Sequence, residues 1–210
     1  MSDNLTALIT RAQAQLLDDG TLFSTTAMTA AFRSALARFN ETAPYFKTGV
    51  LAVVAGQNVY SLASLTGLLG FLDFVGVWDA KETPLACDFY REDGTFFFRL
   101  REALASGTLT VRYTIPHTVN GLAAASTSTL TADQDQVLID GACAEALRAR
   151  LLSRAEKVNP SKDTLESYRT AAVAFERAFV LGLARYARRV PGVGEPSTAH
   201  WADEWEGWQA

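Results

Sequence analysis

Residues that could carry out catalytic or metal chemistry are few in this chain and stand far apart. The two histidines, His117 and His200, have no second histidine or cysteine at a spacing that binds metal ions. The two cysteines, Cys87 and Cys143, form no CxxC pair, and Cys143 falls in an alanine-rich helical pattern that favours a small apolar residue. We therefore predict ordinary polar histidines, reduced core cysteines and no metal site.

Motifs that activate a nucleophile or bind phosphate do not occur in the sequence. The patterns GxSxG, GxxxxGK[ST] and GxGxxG are absent. Two acidic groups lack the spacing of a calcium loop, and the second opens a predicted helix, where the helix dipole favours negative charge; the groups are Asp88, Glu92 and Asp93, and Asp133, Asp135 and Asp140. We predict solvated surface at both groups, no enzyme activity and no cofactor.

Tryptophan is concentrated in residues 190–210, which hold three of the four in the chain together with four acidic residues and no basic residue. In a short helix the tryptophans Trp201, Trp205 and Trp208 would lie on one side, because they are four and three positions apart. The acidic residues Asp203, Glu204 and Glu206 would lie at the rim of that surface. Tryptophan is enriched in interface hot spots, so we predict that this set binds a partner. The alternative is that the segment packs on its own subunit, for example on Arg185, Arg188 and Arg189.

Two long helices are predicted over residues 132–189, directly before this tryptophan-rich segment. The first opens at a capping box, Thr131 to Gln134, in which the Thr hydroxyl and the Gln amide can each satisfy a free backbone N–H. Asn159 and Pro160 then end this helix and start the second one, which should reach about Arg189. Apolar residues of the second helix recur at intervals of three and four and so form one buried stripe; they are Tyr168, Ala172, Phe175, Phe179, Leu183 and Tyr186.

Further apolar residues of the helical pair lie off that stripe. A helix that is apolar on more than one side is buried on more than one side. We predict that these positions and one nearby arginine contact copies of the same chain in an oligomer; they are Val173, Val180, Leu181, Leu151 and Arg188. The alternative is that they pack against other elements of their own chain.

The fold class predicted from the remaining pattern is α+β. Residues 1–46 are predicted to contain two amphipathic helices, one from about Asn4 to Asp18 and one that starts after the cluster Ser24, Thr25 and Thr26 and ends before Pro44. Residues 47–120 contain short extended runs between Gly, Pro and Asp, which predict an inserted antiparallel β domain; the runs are Val50–Val54, Asn58–Leu62, Phe71–Trp78, Thr95–Leu100 and Thr108–Ile115. Residues 121–131 are rich in small residues and predict a flexible linker, and we predict that residues 190–210 form an extended C-terminal arm.

The overall charge of the chain argues against nucleic acid and anionic membranes as general binding partners. The net charge of −4 gives no general attraction to nucleic acid or to an anionic membrane. Phe96, Phe97, Phe98 and Arg99 resemble a nucleic-acid surface only weakly, and are more typical of a strand with one core face and one subunit contact. An acidic start and the lack of a long apolar run predict a protein that is made in the cytoplasm and not inserted in a membrane.

The order of these parts resembles the adaptor, or head-to-tail connector, proteins of tailed bacteriophages. The resemblance covers roughly Leu5 to Arg189, and three pieces carry it. These are the run Gly56, Tyr60 and Leu62 entering the β domain, the strand with Val111 and Tyr113, and the return helix in which Ala144 and Ala146 flank Glu145. The proline-rich run that often precedes the last strand of the insert is replaced here by residues 99–107, which contain no proline.

The resemblance implies a structural virion protein at the portal vertex, where head and tail join. It implies a ring, usually of twelve copies, that lies beneath the portal protein, extends the DNA channel and meets a tail or nozzle protein. Double-stranded DNA would pass through without specific binding. From its tryptophans we further predict that the segment from Val190 binds the portal. The alternatives are a soluble cytoplasmic protein–protein interaction module without catalytic activity, and an enzyme whose site the sequence does not reveal.

Overall fold

The computed structural model describes residues 3–18, 20–65, 73–155 and 162–187. These residues form an α+β fold of four helices and antiparallel sheets, as the sequence predicted. The elements in chain order are α1 (Leu5–Gln15), α2 (Thr25–Thr42), β1 (Tyr45–Ala52), β2 (Val59–Ser61), β3 (Asp73–Trp78), β4 (Pro84–Leu85), β5 (Cys87–Glu92), β6 (Thr95–Leu100), β7 (Thr108–Ile115), α3 (Ala132–Ala155) and α4 (Lys162–Ala187).

Side-chain caps fix where three of the helices begin. Asn4 Oδ1 accepts a hydrogen bond from the Ala7 N–H at the start of α1 (2.9 Å), and Ser24 Oγ accepts one from the Ala27 N–H at the start of α2. At the start of α3 the Thr131 N–H donates to Gln134 Oε1 (2.8 Å), and the Gln134 N–H donates to Thr131 Oγ1 (3.4 Å). This reciprocal pair confirms the capping box predicted from the sequence.

Helix α3 lies at the centre of the helical core and packs against α1, α2 and α4. Its contact with α4 is close because glycines replace side chains on both helices. A Cβ atom on Gly141 would lie 2.8 Å from the Phe179 ring, and one on Gly182 would lie 2.6 Å from Val137 Cγ2. The Phe179 ring and the Val137 side chain therefore occupy the space that a side chain at Gly141 or Gly182 would need. The missing side chains allow the two helix axes to lie close together.

Two antiparallel sheets enclose a second core. The strand orders are β1-β7-β3-β4 and β2-β6-β5. Alternate residues of β7 point inward, as the sequence predicted, and Leu109, Val111 and Tyr113 are at most 1% exposed. Tyr60 and Phe98 of the second sheet stack in the same core at 5.4 Å between ring centroids.

The β domain has more strands than the five predicted, because β4 and β5 were not recognised in the sequence. The first strand also begins earlier than predicted, at Tyr45 and not at Val50. Strand β5 pairs with β6 through a two-residue turn at Asp93 and Gly94, with φ of 47° and 80°. Positive φ at both positions is the geometry that Asp-Gly favours in a tight hairpin. The Asp-Gly pair between two aromatic runs was thus the signal that could have revealed β5.

Residues 116–131 are packed against the helical core, although their composition predicted a flexible linker from residue 121. Leu122 and Leu130 are 3% and 5% exposed. The segment also folds on itself, since the Gly121 N–H donates to the Ala125 carbonyl and the Thr129 N–H donates to the Thr118 carbonyl. Its two leucines bury enough apolar surface to hold a chain of small polar residues in place.

Candidate assembly surface

The predicted binding residues fall into two groups in the structure. Seven of them lie outside the described residues; these are Trp201, Trp205, Trp208, Asp203, Glu204, Glu206 and Arg188. The described ones are Val173, Val180 and Leu181 on α4 and Leu151 on α3.

Helix α4 has an apolar outer face opposite the side that packs in the core. Val173, Val180 and Leu181 are 62%, 49% and 56% exposed, whereas Phe179 and Leu183 on the inner side are buried. Ala174 and Ala184 are exposed between them. These five residues, Val173, Ala174, Val180, Leu181 and Ala184, are called the outer face below. Exposed valine and leucine in a continuous patch are typical of a surface that another protein segment covers.

The charge around the outer face is positive. Arg169, Arg177 and Arg185 are exposed along it, and none of them forms an ion pair with another described residue. Between residues 165 and 187, Glu166 is the one exposed acidic side chain, since Glu176 is half-buried and paired. A covering segment with apolar anchors and acidic neighbours would therefore match this surface.

A groove between the first half of α3 and the second half of α4 continues the outer face. It has a volume of about 560 Å³, and Leu181, Gly182 and Arg185 form its α4 wall. Asp133 and Asp140 lie on the α3 wall, where Gln136 Nε2 donates a hydrogen bond to Asp140 Oδ1 (3.0 Å). Partial burial raises the pKa of Asp140.

The structure distinguishes between two adjacent leucines near the end of α3. Leu152 is 70% exposed, whereas the predicted contact residue Leu151 is half-buried. The sequence pattern did not separate them, because apolar residues occur on several sides of this helix. The more exposed leucine is the one that sequence reasoning left out of the predicted surface.

A cluster of ion pairs fixes α4 against α2 and α3. The Arg38 guanidinium on α2 binds both carboxylate oxygens of Glu176 on α4 (3.1 and 2.5 Å) and Glu145 Oε1 on α3 (2.9 Å). Arg148 lies 3.2 Å from each of the same carboxylates, and the Arg38 guanidinium stacks 4.9 Å above the Phe179 ring. The hydrogen bond from Arg38 lowers the pKa of Glu176. This cluster holds α4 in register, so that its outer face points away from the core.

His117 joins the helical core to the β domain. It is 5% exposed, and its ring lies 5.3 Å from the Phe39 ring and 5.4 Å from the Tyr45 ring. Its backbone N–H donates to Asn40 Oδ1 (2.6 Å), and Nδ1 lies 3.1 Å from Thr129 Oγ1. Burial lowers the pKa of His117 to about 4, so the ring is neutral at pH 7.

The run of three phenylalanines in β6 divides between the two faces of its sheet. Phe98 is fully buried, whereas Phe97 lies half-buried on the opposite face, where it stacks on Tyr90 at 5.6 Å. Arg99 lies 5.9 Å from the same Tyr90 ring. The prediction that one face of this strand lies in the core is therefore confirmed. The predicted subunit contact on the other face stays a prediction.

Two further findings apply to the part of the chain that the structure describes. No three histidine, cysteine or acidic side chains come together there as a metal site. Neither does any helix there have the length and apolar character needed to span a membrane. Cys87 and Cys143 are both free thiols, and Cys143 is fully buried.

Comparison with known proteins gives one family. The family model described as SU10 adaptor protein matches residues 3–197, which is most of the chain. Among curated proteins, none matches this sequence. The matched range includes all four helices and all seven strands described above.

Proposed function

Because the chain belongs to the SU10 adaptor protein family, a family of structural phage proteins that join head and tail, we propose that it forms a ring beneath the portal. This ring would extend the DNA channel and connect the capsid to the tail. Family membership gives the protein a structural place in the virion and associates it with other virion components. The position beneath the portal, the ring and the channel are our proposal.

The apolar outer face of α4 is the observation that carries the ring proposal. The elements that the structure describes leave Val173, Val180 and Leu181 exposed on the side away from the core. A neighbour that covers this face with a different surface of its own would make a head-to-tail contact, and repeated contacts of that kind form a ring when the rotation between copies closes. Twelve copies is the number implied by the resemblance to phage adaptors.

Portal binding is assigned in this proposal to residues 190–210. Trp201, Trp205 and Trp208 would be the anchors, since a buried tryptophan contributes more to binding than most residue types. Their acidic neighbours would favour a basic surface on the portal. The partners of the ring are then the portal on one side and a tail or nozzle protein on the other.

DNA would pass through the ring without being held. The net charge of −4 gives no general attraction to the phosphate backbone, on which most DNA affinity depends. A channel that released DNA during ejection would need such weak contacts.

The ring contact can be tested by placing a charge on the outer face. We expect the double variant Val173→Glu, Val180→Glu to stay monomeric when it is mixed with the portal ring of its phage, because a neighbouring subunit that covered this face would have to remove two carboxylates from water. The unaltered protein should add a defined number of copies to the portal, as measured by native mass spectrometry.

The matched control is Val50→Glu on β1, where the valine is 63% exposed and lies on the β domain. This variant should assemble like the unaltered protein. If the outer-face variant assembled normally as well, α4 would not form the ring contact. If the unaltered protein bound no portal at all, a general protein–protein interaction module would be the better account.

A further inference from the structure

The outer face of α4 presents apolar side chains that no described element of the chain covers. Its three large apolar residues, Val173, Val180 and Leu181, are each about half exposed or more. A freely exposed patch of this kind would promote non-specific association of newly made chains. A segment that covered it reversibly would keep the chains apart until assembly.

Charge identifies a segment that fits. The outer face is flanked by Arg169, Arg177 and Arg185, which have no ion-pair partner among the described residues. Residues 190–210 hold four acidic residues and no basic residue, and three tryptophans lie among these acids. The segment thus offers the apolar anchors and the negative charge that this surface lacks.

Chain length allows the segment to reach the outer face of its own α4. The helix ends at Ala187, and the outer face runs from Val173 to Ala184, a helix length of about 17 Å at 1.5 Å per residue. Residues 188–200, if extended, span roughly 40 Å. The tryptophans that follow can therefore be placed anywhere along the outer face.

The spacing of the two sets also matches. Trp201, Trp205 and Trp208 are four and three positions apart, and so are Val173, Arg177 and Val180. A helix with this spacing presents its three indoles on one side, and that side can lie along the stripe that the other three residues form on α4. One indole would then lie near an arginine, where a cation–π contact is available.

From these observations we propose that residues 190–210 bind the outer face of α4 in their own chain before assembly. The consequence for assembly rests on the proposed function. The same surface cannot bind this segment and a neighbouring copy at once, so the ring contact becomes available when the portal draws the tryptophans away. Portal binding and ring closure are coupled through this competition.

Tryptophan fluorescence tests the docking directly in the full chain. Trp78 is the one tryptophan outside residues 190–210, so the variant Trp78→Phe reports on that segment alone. We expect its emission to be shifted to the blue and protected from acrylamide in the unassembled protein. High salt should reduce the protection by screening the arginines.

Two further variants in the Trp78→Phe background locate the binding surface. Val180→Asp should shift the emission to the red and increase acrylamide quenching, because it places a like charge under an acidic segment. Leu152→Asp on α3 is the control, since Leu152 is 70% exposed and lies outside the outer face. It should leave both readings unchanged.

Three results would overturn the inference. These are tryptophans that are fully quenchable in the unassembled protein, equal effects of the two aspartate variants, and protection that appears only as concentration and mass rise together, which would indicate exchange between copies. Assembly on the portal is measured separately. Loss of docking with normal ring formation would refute this inference alone, and docking without any portal assembly would refute the proposed function alone.

Discussion

The lowered pKa of His117 results from the residues that surround it in the fold and not from any sequence motif. The sequence predicted an ordinary polar side chain, and the structure places the ring between Phe39 and Tyr45 with Thr129 at its Nδ1. The side chains that form hydrogen bonds with His117 belong to Asn40 and Thr129, which are both uncharged. Burial among neutral groups is therefore the main reason why its pKa is low.

We predict that acid weakens the protein through this residue. The pKa of His117 is about 4 in the folded chain and 6.5 when unfolded, so the unfolded state binds more protons between these values and is favoured as the pH falls. The contribution of His117 is complete above pH 6.5. By pH 4 the free energy of unfolding should have dropped by on the order of 2–3 kcal/mol from this group.

Urea unfolding at several pH values, compared with His117→Gln, measures the effect. Glutamine can keep a hydrogen bond to Thr129 but does not titrate, so its curve should be flatter from pH 6.5 to 4. Carboxylates such as Asp140 and Glu176 titrate in both proteins and cancel in the difference. Parallel curves would show that His117 is solvated and not buried.

At the scale of elements, the ion-pair cluster connects three helices that the sequence pattern treats separately. Arg38 on α2 reaches Glu145 on α3 and Glu176 on α4, while Arg148 binds the same two carboxylates. The Arg38 side chain is 33% exposed and each glutamate 22%. A partly buried network of this kind is worth more than an isolated surface pair.

We expect Arg38→Met to destabilise the helical core by about 1–3 kcal/mol, because it leaves two carboxylates with one arginine. Arg38→Lys should recover only part of the loss, since an ammonium group cannot bind Glu176 through two parallel hydrogen bonds. Chemical denaturation followed by helical circular dichroism would measure both changes.

Arg11→Met is the matched control for the cluster. Arg11 pairs with Asp3 at 2.7 Å, but both side chains are more exposed, at 42% and 38%. An exposed pair contributes at most about 1 kcal/mol. If the two methionine variants were equally stable, the Arg38 cluster would have no special role in holding α4.

At the scale of the whole molecule, the described residues form two hydrophobic cores that share no residue. Helices pack mainly on helices and strands on strands. The two cores meet around His117 and the segment that follows it, and otherwise each could lose its packing with little effect on the other. Local stability should therefore differ between the two units.

Matched leucine truncations should separate the two cores. Leu138 in α3 and Leu109 in β7 are both fully buried, so each change to alanine should cost about 2–5 kcal/mol in its own core. Hydrogen exchange should then rise mainly in residues 132–155 for Leu138→Ala and mainly in residues 45–115 for Leu109→Ala. A uniform increase across the chain in both variants would indicate a single cooperative unit.

The sequence by itself determined the features that depend on near neighbours. The capping box at Thr131, the alternation in β7 and the buried stripe of α4 follow from side chains a few positions apart, whose geometry is set by the helix or strand that they form. The order of these parts was also enough to point to phage adaptors. The spacing of neighbouring residues and the order of the elements were thus enough to predict the fold class and the family.

Only the tertiary structure decided which distant residues meet. Arg38 and Glu176 lie far apart in the chain, β5 depends on its pairing with β6, and Leu122 and Leu130 gain their packing from helices elsewhere. The same holds for the outer face of α4, because its valines are exposed only where no other described element of the chain packs on them. Burial is a property of the whole packed molecule, and no local pattern specifies it.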